Sequence, residues 1–284
     1  MNERIKVFLR DFSKHYLGMT GVVVLLIEIL VITFLPVILK LDPYSISKGG
    51  FNLAPSAEYW FGTDALGRDL FARVLYGGRT SLLVGFLSTF LSILIGLPMG
   101  LIAGYYRGIA EQFIMRLADI FMSVPSMILI LTVVAVFEPS LITIIMCIGV
   151  TGWPGIAKLI YGNVLSVSRQ EYVEAARAIG TKNGTILRKY ILPNSITPLW
   201  MCLAFRISSA ILTESGLSFL GAGIQAPQAS WGNILYEAQN ITVLTKRWWI
   251  WAPAGLFLML TIICINLIGE AIRDILDPKT VSGR

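Results

Sequence analysis

The sequence predicts an all-α polytopic membrane protein: six transmembrane helices, an N-terminal amphipathic surface helix and one structured helical loop on the cytoplasmic side. Three observations predict it. Of 284 residues, 55% are hydrophobic and 14% are charged, where soluble domains run at roughly 45–50% and about 25%. The mean hydropathy is +0.72. The apolar residues also gather into six runs near the ~20 residues that cross a ~30 Å hydrocarbon core. This composition excludes a soluble globular domain, a disordered chain and a nucleic-acid-binding domain. The net charge of +6 fits Lys and Arg collected in inner loops.

Each element follows from its residues. The N-terminal tail sets Ile5, Phe8, Leu9, Phe12 and Tyr16 at helical spacing, with Lys6, Arg10 and Lys14 between them. That is the pattern of a helix lying along the inner membrane surface. His15, the only histidine, sits where this helix turns into the bilayer. Residues 21–40 form the first span; the run is too long for a cleavable signal peptide and no small-x-small site follows it. Residues 81–104 form the second, where Gly96 and Gly100 permit close helix approach. The third and fourth spans, 113–136 and 141–161, are separated by the tight turn Phe137-Glu138-Pro139-Ser140. Residues 196–220 and 250–269 complete the set, the last preceded by Trp248, Trp249 and Trp251 at headgroup depth. Pro36, Pro98 and Pro125 bend the spans that contain them.

With both ends inside, the inner segments hold the larger share of Lys and Arg, which sets both termini in the cytoplasm. Arg68, Arg73 and Arg79 fall outside against that bias. Asp64 and Asp69 lie close to the first two, and Arg79 borders a span, where it can snorkel.

The loop 162–195 is polar, basic and internal, yet patterned like structure. Residues 169–179 are strong helix formers with Tyr172, Ala175, Ala176 and Ile179 at helical spacing, and Gly180 stops the run. A second short run, 185–191, precedes Pro193. Glu174-Ala175-Ala176, Gly180 and Leu192-Pro193 together resemble the EAA signature of permease subunits of bacterial ABC importers. The resemblance implies a coupling helix that docks into a cleft on a cytoplasmic ATPase subunit. Two alanines offer a flat surface for close approach, Glu174 can pair with a basic residue or cap a backbone, and Gly180 permits the corner. The isoleucine usual ten residues after the glycine is Tyr190 here, with Ile191 beside it.

Further motifs narrow the resemblance. Phe61-Gly62-Thr63-Asp64, Gly67-Arg68-Asp69 and Gly78-Arg79-Thr80-Ser81-Leu82 resemble the segment after the first span in C-type subunits of dipeptide, oligopeptide and nickel permeases. So do Glu214-Ser215-Gly216-Leu217-Ser218-Phe219-Leu220-Gly221, Ser230-Trp231-Gly232-Asn233 and Arg273-Asp274-Ile275-Leu276-Asp277-Pro278. Met115-Arg116 with Asp119 and Pro125 also fits. The resemblance covers nearly the whole chain and implies the MetI-like permease fold of type I importers. Residues 1–80 would carry the surface helix, first span and extracytoplasmic segment, and 81–284 the permease domain. It implies a bacterial cell-membrane protein forming half of a pathway for di- or oligopeptides, with nickel or a metal chelate as the alternative cargo. The implied partners are a homologous second permease, two cytoplasmic ATPase subunits and an extracytoplasmic substrate-binding protein, with no cofactor on this chain.

The sequence assigns no catalysis to the chain. It has no Gly-x-x-x-x-Gly-Lys-Ser/Thr phosphate loop, so ATP hydrolysis is expected on a partner. Cys147, Cys202 and Cys264 lie in apolar runs without metal spacing, and an intramembrane enzyme lacks its nucleophile–base pair. An ion-coupled secondary transporter would show repeats and midplane ion sites. Charges at membrane depth need partners. Arg116 and Asp119, three apart, are expected to form a structural ion pair. Arg206, Ser209, Ala210 and Thr213 share a helix face with Glu214 at its edge. Arg206, Ser209, Thr213 and Glu214 are therefore candidate pathway residues, Arg206 facing either a substrate carboxylate or peptide carbonyl, or pairing with Glu28 or with an acid on the second permease; for Glu214 the matched motif implies helix packing or gate structure. Glu28 itself is expected to bond across the interface with the second permease.

Overall fold

The computed structural model describes residues 2–46 and 50–276, with side chains from Lys6 onward. The motif residues Asp277 and Pro278 lie outside the described residues. Helix α1 (Asn2–Lys14) half-buries Phe8 and Phe12, which stack at 6.1 Å. It ends at His15, whose Nδ1 accepts the Gly18 amide hydrogen bond and so caps α2 (Tyr16–Ile38). The buried positions of α2 are Gly18, Gly21, Glu28, Ile32 and Pro36, one helical stripe. Its Leu26, Ile27, Leu30 and Phe34 are exposed on the other side, as a lipid-facing helix requires.

Helix α3 (Leu70–Tyr106) starts eleven residues earlier than the apolar run suggests, at an Asp69 cap. Arg73 and Arg79 interrupt the hydropathy signal but not the helix, because both are satisfied by protein. Arg73 lies 3.4 Å from Asp64, and Arg79 Nε donates to the Ile32 carbonyl at 2.9 Å. The inner half of α3 packs along α6 (Leu141–Val167) in parallel. A Cβ on Gly96 would lie 2.6 Å from the Trp153 carbonyl, and one on Gly100 2.5 Å from that of Ala157. Only a residue without a side chain allows that approach.

Between them the third expected span is broken. Helices α4 (Gly108–Ser123) and α5 (Ser126–Val136) meet at an 83° bend. Pro125 removes an amide donor and holds Val124 extended, φ −104° and ψ 132°, which ends α4. Then come α7 (Glu171–Ala178), α8 (Asn183–Ile186), a π turn over Leu187–Ile191 and α9 (Leu192–Ser195). A 54° bend leads into α10 (Thr197–Phe219). Short helices α11 (Trp231–Leu235) and α12 (Ile241–Lys246) precede α13 (Ala252–Leu276). Among the described residues four helices are long and apolar enough to cross a membrane, and six spans result if each bent pair counts as one.

The end of α1 and the last turn of α13 meet on one face, where His15 Nε2 lies 3.3 Å from Asp274. Helix α13 runs antiparallel to α2 and seats Cys264 and Ala271 against Gly21 and Gly18. On the opposite face Trp231 is fully buried and donates its Nε1 hydrogen to the Val74 carbonyl at 3.0 Å. Of the three expected interfacial tryptophans only Trp248 is exposed; Trp249 and Trp251 are half-buried against the core around Trp231 and Ile250.

Candidate functional site

The loop 162–195 is built as a helical corner held by its own buried residues. Val173 and Ala176 of α7 pack with Ile160 and Val164 of α6, Ile186 and Ile191. The Gly180 amide donates to the Arg177 carbonyl and the Thr181 amide to that of Ala176, the two bonds of a Schellman cap. Gly180 takes φ +77°, a conformation that costs glycine nothing and other residues about 1–2 kcal/mol. Beyond it, Tyr105 of α3 donates to Asn183 Oδ1 at 2.8 Å, and Arg177 lies over the Tyr105 ring. The second arm is thus tied to the end of α3.

Burial divides the six loop residues named from the sequence. Glu174, Ala175, Gly180 and Pro193 are exposed and Leu192 is half-buried. Ala176 is buried against its own chain, so only one of the two alanines offers a surface to another protein. The outward face of α7 instead carries Tyr172, Ala175 and Ile179, the last 81% exposed, with Arg169, Lys182, Arg188 and Lys189 exposed on the same loop. Tyr190 is half-buried and Ile191 is the fully buried residue of that pair.

At membrane depth, a cavity of about 370 Å³ opens beside the break between α4 and α5. Arg206, Ser209 and Thr213 line it, together with Thr89, Val124, Pro125 and Ser126. Glu214 does not. It is completely buried behind that wall, accepting hydrogen bonds from Ser81 Oγ at 2.9 Å and Ser218 Oγ at 2.8 Å. The expectation that Glu214 borders the pathway is corrected: on the helix it stands one position around from Thr213, far enough to turn inward. Ser81 Oγ accepts from the Trp231 amide and Ser218 Oγ from the Ile224 amide. Glu214 therefore joins α3, α10 and α11.

One expected ion pair changes partners, and a second acid finds a partner within the chain. Asp119 lies 2.6 Å from Lys158 Nζ of α6, whereas Arg116 has no carboxylate within ion-pair distance among the described residues. A charge reaching across from a neighbouring helix outcompetes one three residues away. Glu28 Oε1 accepts from Thr261 Oγ1 of α13 at 2.7 Å, within this chain and not from Arg206, while its Oε2 has no hydrogen-bond partner among the described residues. Lys158, a charge inside the fourth apolar run, was the available signal for the first pairing. For the second, the lone polar Thr261 opposite Glu28 carries none at the level of sequence.

On the face opposite the termini, Asp64 binds two cations: Arg68 Nε at 2.7 Å and Arg73 Nε at 3.4 Å. With Glu237 they line a second cavity of about 360 Å³. Burial, helped by the nearby Asp64 carboxylate, raises the Glu237 pKa above its ordinary value; Arg68 and Arg73 oppose the shift. Sequence reading did not single out Glu237.

Bent, apolar helices long enough to cross a membrane, with a partly polar cavity beside the α4–α5 break, define a polytopic membrane protein. Residues 96–282 match the family described as binding-protein-dependent transport system inner membrane component, and the chain belongs to that family. It is 38% identical over 273 residues to the dipeptide transport system permease protein DppC of Bacillus subtilis strain 168, covering 95% of this chain and 84% of that one. To the oligopeptide permease OppC of the same organism it is 36% identical, covering 94% and 87%. The glutathione permease GsiD of Pectobacterium atrosepticum is 38% identical, over 81% and 76%. The fold is that of the permease in inward-facing structures of the MetNI methionine ABC transporter, with a TM-score of 0.60 at 20% identity, covering 73% of this chain and 98% of that one. The chain is thus a membrane-embedded ABC importer permease, a family whose members work with ATPase and substrate-binding partners.

Proposed function

We propose that this chain forms one half of the translocation pathway of an ATP-driven importer of di- and oligopeptides. The carrying observation is that relatives aligned over most of the chain are named for dipeptide, oligopeptide and glutathione transport, three cargoes with one chemistry. A homologous permease supplies the other half, two ATPase subunits the motor and an external binding protein the cargo. The termini and the loop 162–195 face the cytoplasm. Division of the chain into 1–80 and 81–284 fits this reading, with the permease proper in the second part. No observation favours nickel or a chelate over peptides.

The coupling loop is the mechanical link. Tyr172, Ala175 and Ile179 present apolar contact beside Glu174 and a basic rim, and the buried face of α7 is keyed to α3 and α6. Movement imposed on α7 by a docked ATPase passes to the helices around the cavity as a rigid-body shift. Arg206, Ser209 and Thr213 line the route. The test is uptake of a labelled dipeptide by proteoliposomes holding this chain with its partners. Uptake should require ATP inside and binding protein outside. Uptake that ignores ATP but collapses with a proton uncoupler would refute the reading.

A further inference from the structure

We infer that the cavity at the α4–α5 break is a carboxylate subsite, built to hold the C-terminal end of a peptide in transit. The inference rests on the peptide-importer reading and adds to it the chemical group that the wall recognises. Three independent features converge there. Arg206 is the only charged residue on the wall. Among the described residues it has no carboxylate within ion-pair distance, and its side-chain neighbour on α10 is the Cys202 thiol. Its guanidinium reaches α6 at Gly155, where a Cβ would collide with it. A guanidinium is a planar fork suited to two-point recognition of a carboxylate.

The second feature is Thr89. Its side chain is 5% exposed, lines the cavity, and its Oγ1 has no hydrogen-bond partner. Of the other hydroxyls on the wall, Ser92 donates to the Gly149 carbonyl, Thr151 to that of Cys147 and Thr213 to that of Ser209, while Ser126 and Ser209 are exposed. A buried hydroxyl left without a partner is costly unless something visits it. The third feature is the start of α5, an eleven-residue helix whose first turn carries no side-chain cap and whose Val124, Pro125 and Ser126 form part of the wall. Free amide hydrogens at a helix start favour an anion, and half-helix ends in membranes serve that purpose. All three features donate hydrogen bonds or positive potential. A carboxylate matches them, whereas a C-terminal amide brings donors of its own.

The experiment uses the complete transporter in proteoliposomes with its binding protein. It compares uptake of one dipeptide as the free acid and as the C-terminal amide. The readout is the acid-to-amide uptake ratio of each variant divided by that of the unaltered transporter, which cancels any preference of the binding protein. Arg206→Met should lower that ratio about tenfold, the size of one lost charge-assisted pair, and Arg206→Lys should fall between. Thr89→Val, near-isosteric and removing a hydroxyl that bonds nothing in the protein, keeps the fold and should lower the ratio severalfold. Ratios unchanged by Arg206→Met or by Thr89→Val would overturn the subsite. If the unaltered transporter takes up neither form with ATP, the peptide-importer reading itself falls, and the subsite with it.

Discussion

Replacing Glu214 by Leu tests whether the buried carboxylate holds the Trp231 end of the bundle together. The side chain is fully enclosed and accepts from Ser81, Ser218 and, at 3.4 Å, Ser215. Leu fills a similar volume, so the loss is chiefly of hydrogen bonds. Side-chain bonds between membrane helices average about 0.6 kcal/mol and reach about 1.7. Three of them set the expected destabilisation at about 2 kcal/mol, rising to about 5 if each is at the ceiling. The upper part of the range is favoured because Ser81 and Ser218 each also accept a backbone amide from the α11 region. Their hydroxyl hydrogens would be left pointing at a hydrocarbon group. The assay is thermal unfolding of the detergent-solubilised chain, with a fall of roughly 4 °C or more expected. A Glu214→Leu chain that melts with the unaltered protein would refute the view that this carboxylate is a structural hub.

Three more outcomes follow from geometry. Gly100→Ala places a Cβ 2.5 Å from the Ala157 carbonyl and 2.8 Å from Ile160 Cβ, so α3 and α6 must part. A cost of about 1–3 kcal/mol is expected from such overpacking, read as a lower melting temperature, and an unchanged one would contradict the close helix contact. Ala175→Arg should leave the chain's own melting intact and abolish copurification of the ATPase, whereas Ala176→Leu should lower melting first, because that side chain is buried. Equal behaviour of the two variants would count against the assignment of faces. Glu237→Gln should act through pH. Burial and Asp64 raise the carboxyl above its ordinary 4.5, so the folded state holds the proton more tightly. The stability this lends is full below 4.5 and is lost as pH rises through the elevated value. The Gln variant should therefore match the unaltered chain in acid and melt higher at neutral pH; a difference constant with pH would contradict this.

Most spans, the turn at Pro139 and the helical corner at Gly180 could be read from residues because each is set by short-range chemistry: apolar run length, a proline, a glycine stop. What escaped was set by contacts between distant segments. Hydropathy hid the first eleven residues of α3 because Arg73 and Arg79 look unfavourable until Asp64 and the Ile32 carbonyl come within reach. Helical spacing put Arg206, Ser209 and Thr213 on one face, but Glu214 at the edge of that face falls on either side depending on where Ser81 and Ser218 stand. Pro125 announced a bend without its size, and a break of 83° is what brings the start of α5 to the cavity. Thr89 has no signature at all, since an unremarkable hydroxyl gains meaning only when its surroundings leave it without a partner.

The bond between Glu28 and Thr261 spans 233 positions of sequence, and this separation orders events during biosynthesis. At about 5–20 residues per second, the first helix waits roughly 10–50 s before its hydroxyl donor emerges from the ribosome. Until then the Glu28 carboxyl sits in its span without its native mate. Closure of the bundle is therefore recorded at a single atom pair, and a nascent chain that stops short of residue 261 leaves Glu28 without it.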